Sequence, residues 1–337
     1  MIRFGALGDL LLTLPTLEAL SRQGESVDFL CRERYSSLLR PLPWIRRLWT
    51  LPEGSGLFAL RELSRNLESE HYDRVFDLHG NLRSRSLRLM MAGSGSRWQE
   101  SPRSSLYRRL LVLAPDALRP GLRRRPFIPV AERHLLLLEK EGYSKSPEPR
   151  PLYPLSKALL DEARCRLDAA GFPEDCPPLA LAPSAAWPTK IWPHFDRLLE
   201  ILPDSLPILL LGGSAEREIC ESLSARARQK TISVTSEEDL SKVAALLSCS
   251  CTLVSADSGL AHLSEAVGRP SLVLFGPTVP QFGFPPRLPG SVLLEKDLPC
   301  RPCSLHGKKP CRKTRRDCLE GIPAEALRDA LLEGGLL

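Results

Sequence analysis

The chain reads as an α/β protein built on parallel sheets and divided into two domains. Three observations lead there. Short apolar runs alternate with helical stretches along the whole sequence, the pattern of parallel strands joined by helical crossovers. The length of 337 residues is about two domains at roughly 150 residues each. Near the midpoint the run SKSPEPRP, residues 144–151, has the composition of a linker. The expected domains are therefore 1–150 and 151–337.

The strand candidates are 27–31, 75–78, 179–182, 208–211, 252–255 and 271–275. Runs such as Leu-Ala-Leu-Ala (179–182) and Ile-Leu-Leu-Leu (208–211) are apolar at every position, as strands covered on both faces are. Helical patterns lie between them at 10–22, 57–70, 131–142, 156–170, 194–203, 215–229, 239–249 and 259–267. No repeat at solenoid period is present.

At 43% hydrophobic and 26% charged residues the chain can bury real cores, which excludes a disordered protein. The net charge of +6 is unevenly spread. Residues 1–165 hold 27 Lys and Arg against 19 Asp and Glu, whereas 166–337 hold 19 against 21. A mildly basic front half suits an anionic partner and falls short of what nucleic acid demands. No uncharged apolar run reaches membrane-spanning length, so an integral membrane protein is not expected. The leucine-rich first twenty residues resemble a signal peptide. Asp9 interrupts their core, however, and no small-residue cleavage site follows, so a cytoplasmic protein is expected.

In open parallel sheets, ligands sit beyond the carboxyl ends of the strands. Four such junctions stand out. In Phe4-Gly5-Ala6-Leu7-Gly8-Asp9 two glycines precede an apolar helix. Asp9 is then either a first-turn carboxylate beside the positive helix end or a general base for a hydroxyl. The loop after 179–182 carries Ser184 and then Trp187-Pro188-Thr189-Lys190-Ile191-Trp192-Pro193. This stiff loop presents one lysine, either solvated or set to neutralise a phosphate. After 208–211, Gly212-Gly213 leads to Glu216, which either caps its own helix or accepts hydrogen bonds from a ribose. After 252–255, Asp257-Ser258-Gly259 open a helix bearing His262 one turn on. A helix N-terminus of this kind suits a diphosphate, and the alternative is an N-cap serine with a buried histidine.

Four blocks together carry a resemblance: RFGALGDLLLTLP at the front, DLHGNLRS at 77–84, WPTKIWP at 187–193 and SADSGLAHLSEAVGRPSLVLFGPT at 255–278. In this order they resemble glycosyltransferase family 9, the ADP-heptose:lipopolysaccharide heptosyltransferases. The resemblance implies a GT-B architecture, two Rossmann-like domains with parallel sheets facing a shared cleft. It implies inverting, metal-independent transfer of a heptose from ADP-heptose to a lipopolysaccharide inner-core acceptor, with no cofactor. By matching motifs, Asp9 takes the general-base role and Lys190 neutralises the leaving diphosphate. Ser258 and Gly259 cradle that diphosphate. Ser184, Thr189, Glu216, Asp257 and His262 line the nucleotide-sugar site, and Asn81 and Arg83 fall on the acceptor side. The implied partners are a nucleotide-sugar donor and an anionic glycolipid. The implied location is cytoplasmic, at the cytoplasmic face of the inner membrane. Another nucleotide sugar, or a catalytically silent nucleotide-sugar-binding protein of the same fold, is the alternative. Two departures are visible: the first strand is short, and Gly5 stands where the family often has Ser.

Two features lie outside those blocks. Residues 97–125 hold Arg97, Arg103, Arg108, Arg109, Arg119, Arg123, Arg124 and Arg125, opposed only by Glu100 and Asp116. They form either a solvated face or, in part, a surface for an anionic acceptor or membrane. No nucleic-acid motif accompanies them, and no nucleic acid is expected as a partner. Cys300, Cys303, Cys311 and Cys318 gather four of the ten cysteines within a short segment. A structural zinc is expected slightly ahead of free thiols, and disulfides are least expected in the cytoplasm.

Overall fold

A computed structural model describes residues 1–102, 104–144, 149–237 and 239–337. Arg103 of the basic stretch and residues 145–148 of the linker candidate lie outside the described residues. The chain forms two compact units, Met1–Arg103 with Val130–Glu148, and Ser104–Pro129 with Pro149–Leu337. It therefore passes between units three times, whereas the composition shift near 150 marks one passage.

In the first unit β1 (Asp28–Arg32) pairs with β2 (Arg47–Leu51), and β3 (Arg74–Asp77) with β4 (Arg97–Glu100), all in parallel. Residues 1–4 fill the slot between β1 and β3. Ile2 bridges to Leu30 on one side and Asp77 on the other. Its N–H donates to the Phe76 carbonyl at 2.9 Å, and Leu30 N–H donates to the Met1 carbonyl at 2.9 Å. The helix Leu57–Glu68 buries Leu60, Leu63, Ser64 and Leu67, the three- and four-residue spacing of one helical face. These leucines pack with Ile2, Phe4, Leu30 and Val75 into the unit's core.

The second unit holds six parallel strands: β5 (Leu179–Ala182), β6 (Ile208–Leu211), β7 (Thr231–Val234), β8 (Thr252–Ala256), β9 (Ser271–Phe275) and β10 (Val292–Glu295). Their spatial order is β7-β6-β5-β8-β9-β10. The chain runs outward from β5 through β7, then returns to lay β8 on the other side of β5. The order reverses between β5 and β8, and in open α/β sheets that is where ligands bind. The four central strands are buried throughout. The two edge strands, β7 and β10, are half-exposed.

Residues 104–129 belong to the second unit. Leu111 and Val112 pack against Val279 and Phe282. Part of the basic stretch serves this packing rather than an anionic partner. Arg119 is only 2% exposed and donates to the Cys300 carbonyl at 2.7 Å and the Val112 carbonyl at 3.0 Å. Arg108 lies over the rings of Phe282 and Phe284, and buried Arg123 pairs with Asp297. Arg97, Arg109, Arg124 and Arg125 remain exposed. Among the described residues no helix is long and apolar enough to cross a membrane.

Candidate active site

In the second unit, the loops after β5, β8 and β9 meet on one ion pair. The ammonium Nζ of Lys190, in the loop after β5, lies 2.7 Å from Asp257 Oδ2 and 2.9 Å from the Asp257 carbonyl oxygen. Asp257 directly follows β8. Thr278, just beyond β9, donates its hydroxyl to the same Asp257 Oδ2 at 2.8 Å. β5, β8 and β9 are adjacent strands, so three consecutive carboxyl ends are tied together at the point where the strand order reverses. An ammonium has three N–H groups. Two are used on Asp257, and one is left for a ligand.

The lysine loop is buttressed by the cysteine-rich segment. Thr189 donates its hydroxyl to the Gly307 carbonyl. Gly307 has φ +87°, and a Cβ there would sit 2.9 Å from Lys190 Cγ. Only a glycine lets that loop lie against the lysine stem. Arg316 donates to the Pro188 carbonyl at 2.7 Å and the Ile191 carbonyl at 3.3 Å. Lys308 stands over the Trp187 ring. Trp192 is buried and donates to the Ile322 carbonyl at 2.9 Å. Nothing in the local sequence announced Gly307 or Arg316, because the residues they contact lie far away in the chain.

Beside the ion pair, Ser258 opens the helix Gly259–Ala266. It stands at the N-cap, but its side chain makes no capping bond, and its Oγ is buried with no protein partner. The first-turn N–H groups of a helix have no partners within the helix, and its N-terminus carries partial positive charge. Lys190 and this helix end together offer N–H donors and positive charge, the chemistry that suits an anion. His262, one turn on, is buried, with its ring 6.4 Å from that of Phe284. Ser184 is half-buried, directly beyond β5. Glu216 caps its own turn: Oε2 accepts the Gly213 N–H at 2.7 Å.

In the first unit, Asp9 stands in the first turn of the helix Leu7–Leu11, which ends sooner than the single helix expected from 10 to 22. Thr13 interrupts it, and a second helix, Leu14–Arg22, follows with Pro15 in its first turn. Asp9 Oδ1 is 2.5 Å from the Arg3 guanidinium, and Oδ2 accepts the Ala6 N–H at 3.2 Å. Burial alone would raise the Asp9 pKa. Arg3 outweighs it, helped by the Ala6 N–H and His134, so the carboxyl sits below its usual range. His134, from the helix Val130–Lys140, is buried. Desolvation, reinforced by Arg3, pushes its pKa down to about 3. Arg3 and His134 act on Asp9 electrostatically, and no motif singled them out. Arg3 also donates to the Leu78 carbonyl, tying the Asp9 turn to the 77–84 block. There Asp77 Oδ1 accepts the N–H groups of His79 at 2.9 Å and Gly80 at 2.7 Å. Asn81 Oδ1 caps the helix Leu82–Met90 through the Ser84 N–H at 2.9 Å. Arg83 is half-buried and reaches the Ser55 carbonyl at 3.4 Å.

Cys300, Cys303, Cys311 and Cys318 are free thiols around one cavity of about 60 Å³, which they share with Arg119, Arg301 and Arg316. Burial raises the pKa of Cys303, and that of Cys318 to about 11. Among the described residues no three His, Cys, Asp or Glu side chains are set to hold a metal ion, so the placement lends the zinc expectation no support.

Sequence comparison decides the family. The profile of glycosyltransferase family 9 (heptosyltransferase) matches residues 60–311, well over half of the chain. The chain belongs to that family. It is 28% identical over 331 residues to lipopolysaccharide heptosyltransferase 1 of Pseudomonas aeruginosa, covering 92% of this chain and 86% of that protein. Its fold matches the solved E. coli ADP-heptose lipopolysaccharide heptosyltransferase II with a TM-score of 0.72 at 19% identity, over 99% of this chain and 97% of that one. It also matches an E. coli heptosyltransferase solved with ADP, with a TM-score of 0.69 at 19% identity, over 99% and 98% of the two chains. The fold class is α/β of the GT-B kind, and this family 9 protein is a glycosyltransferase.

Proposed function

We propose that this glycosyltransferase moves a heptose from ADP-heptose to an inner-core acceptor of lipopolysaccharide, inverting the anomeric carbon and using no metal in the transfer. The observation that carries the reading is the Lys190–Asp257 pair beside the uncapped helix at Ser258, because an ammonium next to free helix N–H groups suits a leaving diphosphate. The curated relative named above is a lipopolysaccharide heptosyltransferase, and one solved relative holds ADP, which supports donor and acceptor alike.

In the proposed step an acceptor hydroxyl oxygen attacks the anomeric carbon from the face opposite the diphosphate. The carbon–oxygen bond to the diphosphate breaks, and its electron pair leaves with ADP. Negative charge grows on the departing oxygens, where the third Lys190 N–H and the Gly259 helix end stabilise it. The hydroxyl proton passes to Asp9, which Arg3 keeps ionised and so able to accept it. These fixed positive groups supply the charge that a metal ion would otherwise bring.

The test is transfer itself. Purified protein is incubated with ADP-heptose and a heptose-free inner-core acceptor in the presence of a chelator. The product is examined by mass spectrometry and NMR. The reading expects one added heptose with the anomeric configuration opposite to the donor's. Retained configuration, or transfer only after divalent metal is restored, would overturn the corresponding part.

A further inference from the structure

The helix Ser105–Leu113 is apolar on two opposite faces. Leu111 and Val112 are buried in the second unit, with Tyr107 packed beside them. The other face carries Leu106, Arg109, Leu110 and Leu113, spaced by three and four residues and hence aligned. Leu106 is 81% exposed, Leu113 75% and Leu110 48%. Of the eleven large apolar side chains exposed among the described residues, five fall between Leu106 and Ile128. A helix facing water ordinarily turns a polar face outward. A clustered apolar face marks an interaction surface.

Charge says what covers it. Residues 104–129 contain six arginines and one acidic residue, Asp116, which is paired with buried Arg119. Arg109, Arg124 and Arg125 are exposed in the same segment as the leucines. A second copy docking through the same patch would set arginine against arginine. Leucines that reach an acyl boundary, among arginines that meet phosphates, have the composition of a helix lying in an anionic lipid interface.

We propose that residues 105–128 form a lipid-docking surface. The leucine face of the helix enters the headgroup region of an anionic bilayer, and Arg109, Arg124 and Arg125 contact the lipid phosphates. Docking needs neither donor nor acceptor, so it stands or falls separately from the transfer reading.

The test is co-sedimentation of the full chain with vesicles of phosphatidylcholine alone or mixed with phosphatidylglycerol. The unaltered protein is expected to bind the anionic vesicles, less so as salt rises, and to ignore the neutral ones. The double substitution Leu106→Ser, Leu113→Ser, at side chains that pack against little, is expected to weaken binding by at least about tenfold. Replacing Arg109, Arg124 and Arg125 by Gln is expected to weaken it and to flatten the salt dependence. Leu332→Ser, an exposed leucine elsewhere on the same unit, is the control and is expected to change nothing. An unchanged thermal unfolding curve shows that each variant is folded. No binding to anionic vesicles, or an equal loss in Leu332→Ser, overturns the proposal. A dimer that the leucine pair dissociates in sedimentation velocity also overturns it, because the face then belongs to a second copy.

Discussion

Lys190 Nζ contacts both a carboxylate oxygen and the carbonyl oxygen of Asp257, at 2.7 and 2.9 Å, across the point where the strand order of the sheet reverses. The lysine is held by the neighbouring strand end rather than left to sample solvent. Thr278 completes the arrangement from the next strand, through Asp257 Oδ2. Its role is positioning. Thr278→Val removes that bond and lets Asp257 and Lys190 shift, so steady-state kcat should fall about ten- to a hundredfold, the weight of one hydrogen bond to a charged group. Thr278→Ser should restore it. A valine variant as fast as the unaltered enzyme would detach Thr278 from the reaction.

The Arg3–Asp9 pair sets a pH dependence. Because the folded pKa of Asp9 is lowered, its ionised form is stabilised above the unfolded carboxylate pKa, and that contribution is lost as pH falls through the folded value. The acid limb of kcat/KM should therefore lie below the ordinary carboxylate range. Arg3→Gln removes the partner and should move that limb upward. Asp9→Asn should abolish transfer while leaving ADP affinity intact. An acid limb that Arg3→Gln does not move would show that Asp9 is not the titrating base.

His134 works in the same sense for stability, over a higher pH window. Its folded pKa, near 3, is far below that of a free imidazole, so the unfolded chain binds the proton more readily. Stability should decline as pH falls from about 6.5 toward 3. His134→Gln should flatten that decline in urea titrations at stepped pH. A decline of equal steepness in the variant would place the acid sensitivity elsewhere.

Gly5 answers the departure noted beside Asp9. Its φ is +148°, and a Cβ would lie 2.7 Å from the edge of the Tyr35 ring. The hydroxyl that a serine would bring is excluded by strain and by Tyr35 together. Gly5→Ser should cost about 1–3 kcal/mol. In a double-mutant cycle with Tyr35→Ala, part of that cost should disappear. Purely additive costs by denaturant titration would show that Tyr35 is not the obstacle.

What could be read from the sequence follows burial. The central strands of the second unit, β5, β6, β8 and β9, are apolar at nearly every position and were legible as runs. The four strands that motif reading passed over, β2, β4, β7 and β10, are those whose residues are mostly half-exposed. Arg47-Leu48-Trp49-Thr50-Leu51 and Arg97-Trp98-Gln99-Glu100 offer one face to water, and no continuous run survives that. The same logic applies to the site. Asp9, Lys190, Asp257 and Ser258 stand at strand-to-helix junctions, which local patterns reveal. Arg3, His134, Thr278 and Gly307 enter through contacts between distant segments, which local patterns do not carry. The arginines divide likewise: Arg119 and Arg109 are alike in sequence, and only packing makes one an anchor and the other exposed.

The most direct test of the account is calorimetric titration of ADP, UDP and GDP into the full chain in chelator-containing buffer, beside the Lys190→Ala variant. Selective binding of ADP is expected, weakened about ten- to a hundredfold in the variant, as loss of a charged hydrogen bond to a phosphate requires. Equal ADP affinity in Lys190→Ala, or no nucleotide bound by the unaltered chain, would contradict it.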